Sequence, residues 1–148
     1  MILATETDKA YIAGIIDGEG CLLITERGRP STRRCKTPSF VCTIVVSMTD
    51  EYAVQFIGER YKGRVRKYHR DGKRPYFTFD ASCAKEVGTL AMDIQPYIKV
   101  KSRQVAAMLE YLSLPKFRGG LGHEVPANIV EKRRFWATEM HSLNQRMV

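Results

Sequence analysis

Two carboxylates separated by one residue, Asp17 and Glu19, stand among glycines in the segment Tyr11-Ile12-Ala13-Gly14-Ile15-Ile16-Asp17-Gly18-Glu19-Gly20. The residues before them are apolar and read as a short helix, Ala10 to Asp17, so both acids fall at its C-terminal end. The macrodipole disfavours negative charge there. Gly18 and Gly20 let the backbone turn sharply and pack closely. Ala13 and Gly14 keep one flank of the helix small enough for another helix to approach. Carbonyl oxygens and carboxylates gathered beside an apolar helix contact suit a hard cation. An ordinary helix with a glycine cap and solvated acids would carry the same residues, so the segment alone leaves both readings open.

The elements that would position this segment follow from patterning. Thr5 and Asp8 have the spacing of a capping box ahead of the first helix. Cys21 to Arg27 and Ser39 to Ser47 read as strands, the second rich in β-branched residues. Between them, Gly28 to Pro38 is a basic loop. Thr49-Asp50-Glu51 caps a helix that runs until Gly63. Arg64 to Arg70 and Tyr76 to Asp80 form a hairpin around Asp71-Gly72, a strong turn signal. Ser82 caps a helix through Ile94, Lys101 to Leu114 forms another, and a last helix lies near Asn128–Asn144 after the glycine-rich stretch Gly119 to Gly122. The expected fold is α+β, in the order α-β-β-α-β-β-α followed by further helices. Its four antiparallel strands are covered by helices on one face, within one domain spanning 1–148.

Strand alternation then separates the faces. Phe40, Cys42, Ile44 and Val46 form the apolar set of the second strand, leaving Ser39, Val41, Thr43 and Val45 outward. In the hairpin Val65, Phe77 and Phe79 share the core side. Arg64, Arg66, Tyr68 and Arg70 share the other, with Tyr76, Thr78 and Asp80. An uncovered face studded with Arg, Tyr and Thr differs from a merely solvated one, which would mix in Glu and Lys.

Charge supports a polyanionic partner. The chain has 148 residues and a formal net charge of +8. From Glu26 to Arg74 there are 13 Lys/Arg and 5 Asp/Glu, whereas the remainder holds 11 of each. The whole excess therefore lies in one contiguous third of the chain, as expected for a nucleic-acid face. Same-face side chains on a strand stand about 6.6 Å apart, roughly two base-pair steps. A two-stranded ribbon fits the DNA major groove, whereas the major groove of double-stranded RNA is too narrow. DNA is the better partner.

Composition also excludes several classes. The hydrophobic fraction of 44% suffices for one core. No apolar stretch approaches the roughly 20 residues of a membrane span. The first residues show no basic region or cleavage pattern of a secretory signal. Cys21, Cys35, Cys42 and Cys83 never form C-x-x-C; two lie in expected strands, which suits reduced core thiols of an intracellular protein. The three histidines are scattered and suggest neither a triad nor a zinc site.

The segment from Ile12 to Gly20 resembles the LAGLIDADG motif of homing endonucleases: Ile12 and Ile15 stand for its leucines, Gly18 for its second alanine and Glu19 for its last aspartate. Gln95-Pro96-Tyr97-Ile98-Lys99-Val100-Lys101, the basic hairpin, the strand order and the late Ser142-Leu143-Asn144 extend the resemblance over almost the whole chain. In that family the motif helices pack together at a twofold or pseudo-twofold axis, and the fold is a saddle-like sheet. A single motif here implies a homodimer whose contact includes Ile12, Ala13, Gly14 and Asp17. Asp17 would also hold the helix end by hydrogen bonds. Glu19, with Gly18, would bind divalent ions, Mg²⁺ by expectation. Mn²⁺ would substitute, and Ca²⁺ would bind without supporting cleavage.

The implied reaction is two-metal phosphodiester hydrolysis on both strands of a long, near-palindromic DNA site. Lys101 takes the place of the family's active-site lysine, with Lys99 as its rival. Expected DNA contacts are Thr25, Arg27, Arg29, Arg33, Ser39, Thr43, Arg64, Arg66, Tyr68, Arg70, Tyr76 and Thr78. One departure stands out. Relatives often place a water-ordering polar residue at the end of the second strand, where Met48 falls here; a slip of one residue would make it Ser47 or Thr49. The alternatives to a nuclease are an RNA maturase acting on its host intron and a DNA-binding regulator that kept only the fold.

Overall fold

The computed structural model describes residues 1–27, 37–117 and 124–146. Helix α1 spans Glu6–Glu19 and opens on the capping box: the Asp8 amide donates to the Thr5 hydroxyl (3.2 Å), and the Thr5 amide donates to the Asp8 carboxylate (3.0 Å). It is longer than the apolar run suggests because that box starts it a turn earlier. Strands β1 (Gly20–Arg27) and β2 (Ser39–Met48) pair antiparallel; α2 covers Glu51–Arg60, followed by β3 (Arg64–Tyr68) and β4 (Tyr76–Ala81). Helices α3 (Ala84–Ile94), α4 (Ser102–Ser113) and α5 (Ala127–Gln145) complete the described chain. The four strands make one sheet in the order β1-β2-β4-β3, antiparallel at every step. This is the expected α+β order, with β2 and β4 central.

The expected boundaries shift where local chemistry dictates. Asp50 caps α2 by accepting the Ala53 amide at 2.9 Å. The cap position of α3 is Cys83, not Ser82, and no side chain there accepts a helix amide. The hairpin strand stops at Tyr68, opposite Tyr76, and Gly72 takes the positive φ of 72° that the turn requires. The basic stretch from Gly28 to Lys36, with Arg29 and Arg33, lies outside the described residues, and so does Gly119 to Gly122.

One side of the sheet carries the core. Ile12 and Ile16 of α1, Leu22 and Ile24 of β1, Ile44 and Val46 of β2 and Phe79 of β4 are buried together with residues from all five helices. Each such side chain contributes about 1.5–3 kcal/mol of transfer free energy. Cys42 belongs to this core, and burial pushes its thiol up to about 12. Cys21 does not: it faces outward from β1 and is exposed, contrary to the expected core thiol. Val65 keeps the register of Phe79 yet stays 41% exposed, because β3 is an edge strand. Among the described residues no helix is long and apolar enough to cross a membrane.

Candidate active site and nucleic-acid face

The site begins where α1 ends. Gly20 leaves the helix in extended conformation, and its amide donates to the Ile16 carbonyl. A Cβ on Gly20 would lie 2.7 Å from that oxygen and 2.8 Å from the Ile16 Cα, so only glycine permits this turn. It brings β1 directly off the helix and leaves Glu19 exposed at the junction.

Asp17 and Lys101 lock this junction to α4. The Asp17 carboxylate accepts the amides of Lys99 (2.7 Å), Val100 (3.1 Å) and Lys101 (2.9 Å). Helix α4 has no side-chain cap hydrogen bond; Asp17 instead fixes the segment that leads into it, ending at the cap residue Lys101. In return the Lys101 ammonium donates to the carbonyls of Ile16 (2.9 Å) and Asp17 (2.7 Å). The last turn of α1 contains no basic residue, and Lys101 supplies the positive charge its carbonyl end favours. Two of the three ammonium protons are thus occupied.

Glu19 opens into a cleft of about 440 Å³ whose walls come from the end of β2 and the β3–β4 hairpin. Ser47, Thr49 and Asp50 line one side, Arg70 and Tyr76 another. Met48 also touches the cleft, but it packs against the core, whereas Ser47 is exposed and continues the outward series of Thr43 and Val45. The strand still ends at Met48, but the exposed polar side chains at the cleft are those on either side of it, Ser47 and Thr49. Beside Glu19 the cleft offers the oxygens of Ser47, Thr49, Asp50 and Tyr76, the donor type a hard divalent cation prefers, together with the Met48 thioether and the Arg70 guanidinium. Among the described residues no three His, Cys, Asp or Glu side chains come together as a metal site. One chain thus brings two carboxylates, Glu19 and Asp50, and hydroxyls to the cleft, and a complete shell would need oxygens from outside it.

The sheet face away from the helices runs on from this cleft. Its rows follow from the register: Arg27 with Ser39, Thr25 with Val41, Leu23 with Thr43, then Cys21, Val45, Asp80 and Arg64 across all four strands, then Ser47, Thr78 and Arg66. Tyr68 and Tyr76 end the hairpin side, their rings stacked 5.1 Å apart. The expected contact residues in β1 to β4 therefore share one face, and Arg70 stands beyond β3 in the cleft wall. Thr78 is the exception in exposure. It is 8% exposed between Ser47 and Arg66, too covered to reach a partner readily. Leu23, 37% exposed, and Cys21 join this face without having been expected on it. The consecutive apolar residues Leu22, Leu23 and Ile24 blur the alternation that would reveal them.

The motif helix presents a different flank from the expected one. Ile12 and Ala13 are fully buried in the chain's own core, so they cannot meet a second copy. Asp17 is engaged with α4. The outward flank carries Tyr11 and the two glycines Gly14 and Gly18, where an added Cβ would meet nothing within 4 Å. Of the expected contact residues only Gly14 faces outward. The correction is one of helical phase: a rotation of about 100° per residue separates adjacent positions.

Comparison with solved structures places this architecture. The homing endonuclease I-CvuI, solved with a DNA target in the presence of Mg, is 17% identical with a TM-score of 0.72 over 93% of this chain and 82% of its own. The archaeal intron-encoded homing endonuclease I-Vdi141I, in complex with DNA, is 16% identical with a TM-score of 0.71 over 93% and 84%. The homing endonuclease I-TnaI is 15% identical with a TM-score of 0.64 over 99% and 97%. No protein-family model matches the chain, and no curated protein matches it by sequence. The chain has the LAGLIDADG homing-endonuclease fold.

Proposed function

We propose that this chain is one subunit of a homodimeric, divalent-metal-dependent DNA endonuclease of the LAGLIDADG type, acting inside the cell on a long, near-palindromic site. The observation that carries the reading is the position of Glu19. It stands at the end of a helix locked to α4 by Asp17 and Lys101, and it opens onto the same sheet face that bears Thr25, Arg27, Thr43, Arg64, Arg66 and Tyr68. An exposed acid beside a basic sheet face suits a polyanion bound across that face with its backbone near the acid. The DNA-bound neighbours of the same fold support this partner.

The chain's own groups have distinct tasks in this reading. Arg27, Arg64 and Arg66 contact the duplex, and Thr25, Thr43 and Tyr68 read or fill its groove. Tyr11, Gly14 and Gly18 form the flank on which a second α1 packs, so that two copies of Glu19 face one another. Glu19, with the Gly18 backbone beside it, would hold Mg²⁺. Bound there, divalent ions would activate water and stabilise the leaving 3′ oxygen. Lys101, fixed by two carbonyls, keeps one ammonium proton to direct at the phosphate or its attacking water. Ser47 can orient that water.

The deciding experiment incubates the purified chain with a randomised-target plasmid library in Mg²⁺, in Ca²⁺ and in EDTA, and sequences any ends. Discrete, Mg²⁺-dependent ends at a near-palindromic site are expected. Binding without ends in Mg²⁺ would replace the nuclease by a DNA-binding regulator of the same fold.

A further inference from the structure

The wall of the Glu19 cleft contains two residues to which the proposed function gives no task, Arg70 and Tyr76. Tyr68 and Tyr76 face each other across β3 and β4, their rings 5.1 Å apart and inclined by only 14°. Each tyrosine holds an arginine. The Arg66 guanidinium donates to the Tyr68 hydroxyl at 3.3 Å, and the Arg70 guanidinium lies 5.2 Å from the centre of the Tyr76 ring, within cation–π range. Arg70 also opens the hairpin turn, where its carbonyl accepts the Lys73 amide at 3.0 Å. Its backbone and its guanidinium are therefore both restrained.

The two arginines point to different duties. Arg66 lies in the sheet, opposite Thr78, among the groove-facing residues. Arg70 lines the cleft with Glu19, Ser47, Thr49 and Asp50, and among the described residues it is the cation of that lining. The Lys101 ammonium is turned to the α1 carbonyls. A phosphodiester entering beside Glu19 and Asp50 meets two carboxylates, and a cation at the wall offsets that repulsion. Guanidinium is well matched to phosphate through its fork of N–H donors. Stacking on Tyr76 lowers the rotamer freedom that binding would otherwise remove.

We propose that Arg70 is a phosphate-binding residue of the Glu19 cleft and that the Tyr68–Tyr76 stack positions it. The inference rests on the nuclease reading, and its test separates the two. Arg70→Ala, Arg70→Lys, Tyr76→Phe and Tyr76→Ala are compared with the unaltered chain, each checked for an unchanged thermal melt. Affinity for a duplex from the library, or for a random-sequence duplex, is measured against salt in Ca²⁺; single-turnover cleavage is measured in Mg²⁺. Arg70→Ala should lower the salt slope by about 0.9 per subunit, about 1.8 for the proposed homodimer, weaken all sequences alike and slow cleavage roughly a hundredfold. Arg70→Lys should recover part of the rate. Tyr76→Phe keeps the ring and should retain more of the rate than Tyr76→Ala, which should slow cleavage and add nothing to Arg70→Ala. An unchanged salt slope, or a loss confined to one base pair, would overturn the proposal and make Arg70 a base reader. If the unaltered chain binds but never cuts while the slope still falls, the nuclease reading fails and the phosphate contact stands. No DNA binding at all would overturn both.

Discussion

The Asp17 carboxylate and the Lys101 ammonium tie the end of α1 to the entry of α4: Asp17 accepts the amides of Lys99, Val100 and the cap residue Lys101, and Lys101 donates to two carbonyls at the end of α1. Replacing Asp17 by Ala strands those amides and should cost about 2 kcal/mol of stability. Asp17→Asn retains one acceptor oxygen and should cost less. Urea midpoints decide; equal midpoints for all three chains would show that this tie contributes nothing.

Glu19 has no such structural employment, being exposed at the helix end. Glu19→Gln should leave the melting temperature and DNA affinity nearly unchanged while reducing Mg²⁺-dependent cleavage to the level of the EDTA control. A collapse of affinity would instead make Glu19 part of the framework.

The glycines of α1 should divide by phase. Gly14 faces open space, so Gly14→Leu is expected to leave the monomer folded but to push the proposed dimer toward monomer in sedimentation. Gly20→Ala, whose Cβ would collide with the Ile16 backbone, should lower the melting temperature instead. A sedimentation profile unaltered by Gly14→Leu contradicts the α1 interface.

Acid should act on the join between α1 and α2. Arg60 donates to Asp8 at 2.9 Å and stacks over Phe56, with the ion-paired side chains 12% and 17% exposed. The Arg60 hydrogen bond, aided by the Thr5 amide, holds the Asp8 carboxyl below its ordinary value of 3.8. A lowered folded value means stabilisation that is present above 3.8 and is lost as pH falls through the lower folded value. Asp8→Asn should therefore melt earlier than the unaltered chain at neutral pH, with the gap closing in melts taken from roughly pH 5 to pH 2. A constant gap would assign the loss to something other than ionisation.

On the sheet, Arg66→Ala should weaken binding by about 1–3 kcal/mol per subunit and relax specificity at one base pair of each half-site. A uniform loss across target variants would reassign Arg66 to the phosphate backbone.

Several of these relationships were legible from the chain's own pattern, and others were not, for identifiable reasons. The Thr5–Asp8 box, the Asp50 cap, the Asp71-Gly72 turn and the alternation of Phe40 to Val46 are local, since their partners lie within a few residues or a fixed period. They determined the element order, the antiparallel sheet and the side on which Arg64, Arg66 and Tyr68 stand. The motif, read as a resemblance, singled out Asp17, Glu19 and Lys101.

Tertiary structure decided what depends on phase and on distant partners. A one-residue register difference turns Ser47 to the cleft and Met48 to the core, because side chains in a strand alternate with a period of two. A similar difference in helical phase buries Ile12 and Ala13 and exposes Gly14 and Gly18. The meeting of Asp17 with amides more than 80 residues away, and of Arg70 with Glu19 across one cleft, exists only once the sheet has closed the separation along the chain. Local pattern names the residues able to do chemistry, and packing determines which of them face one another.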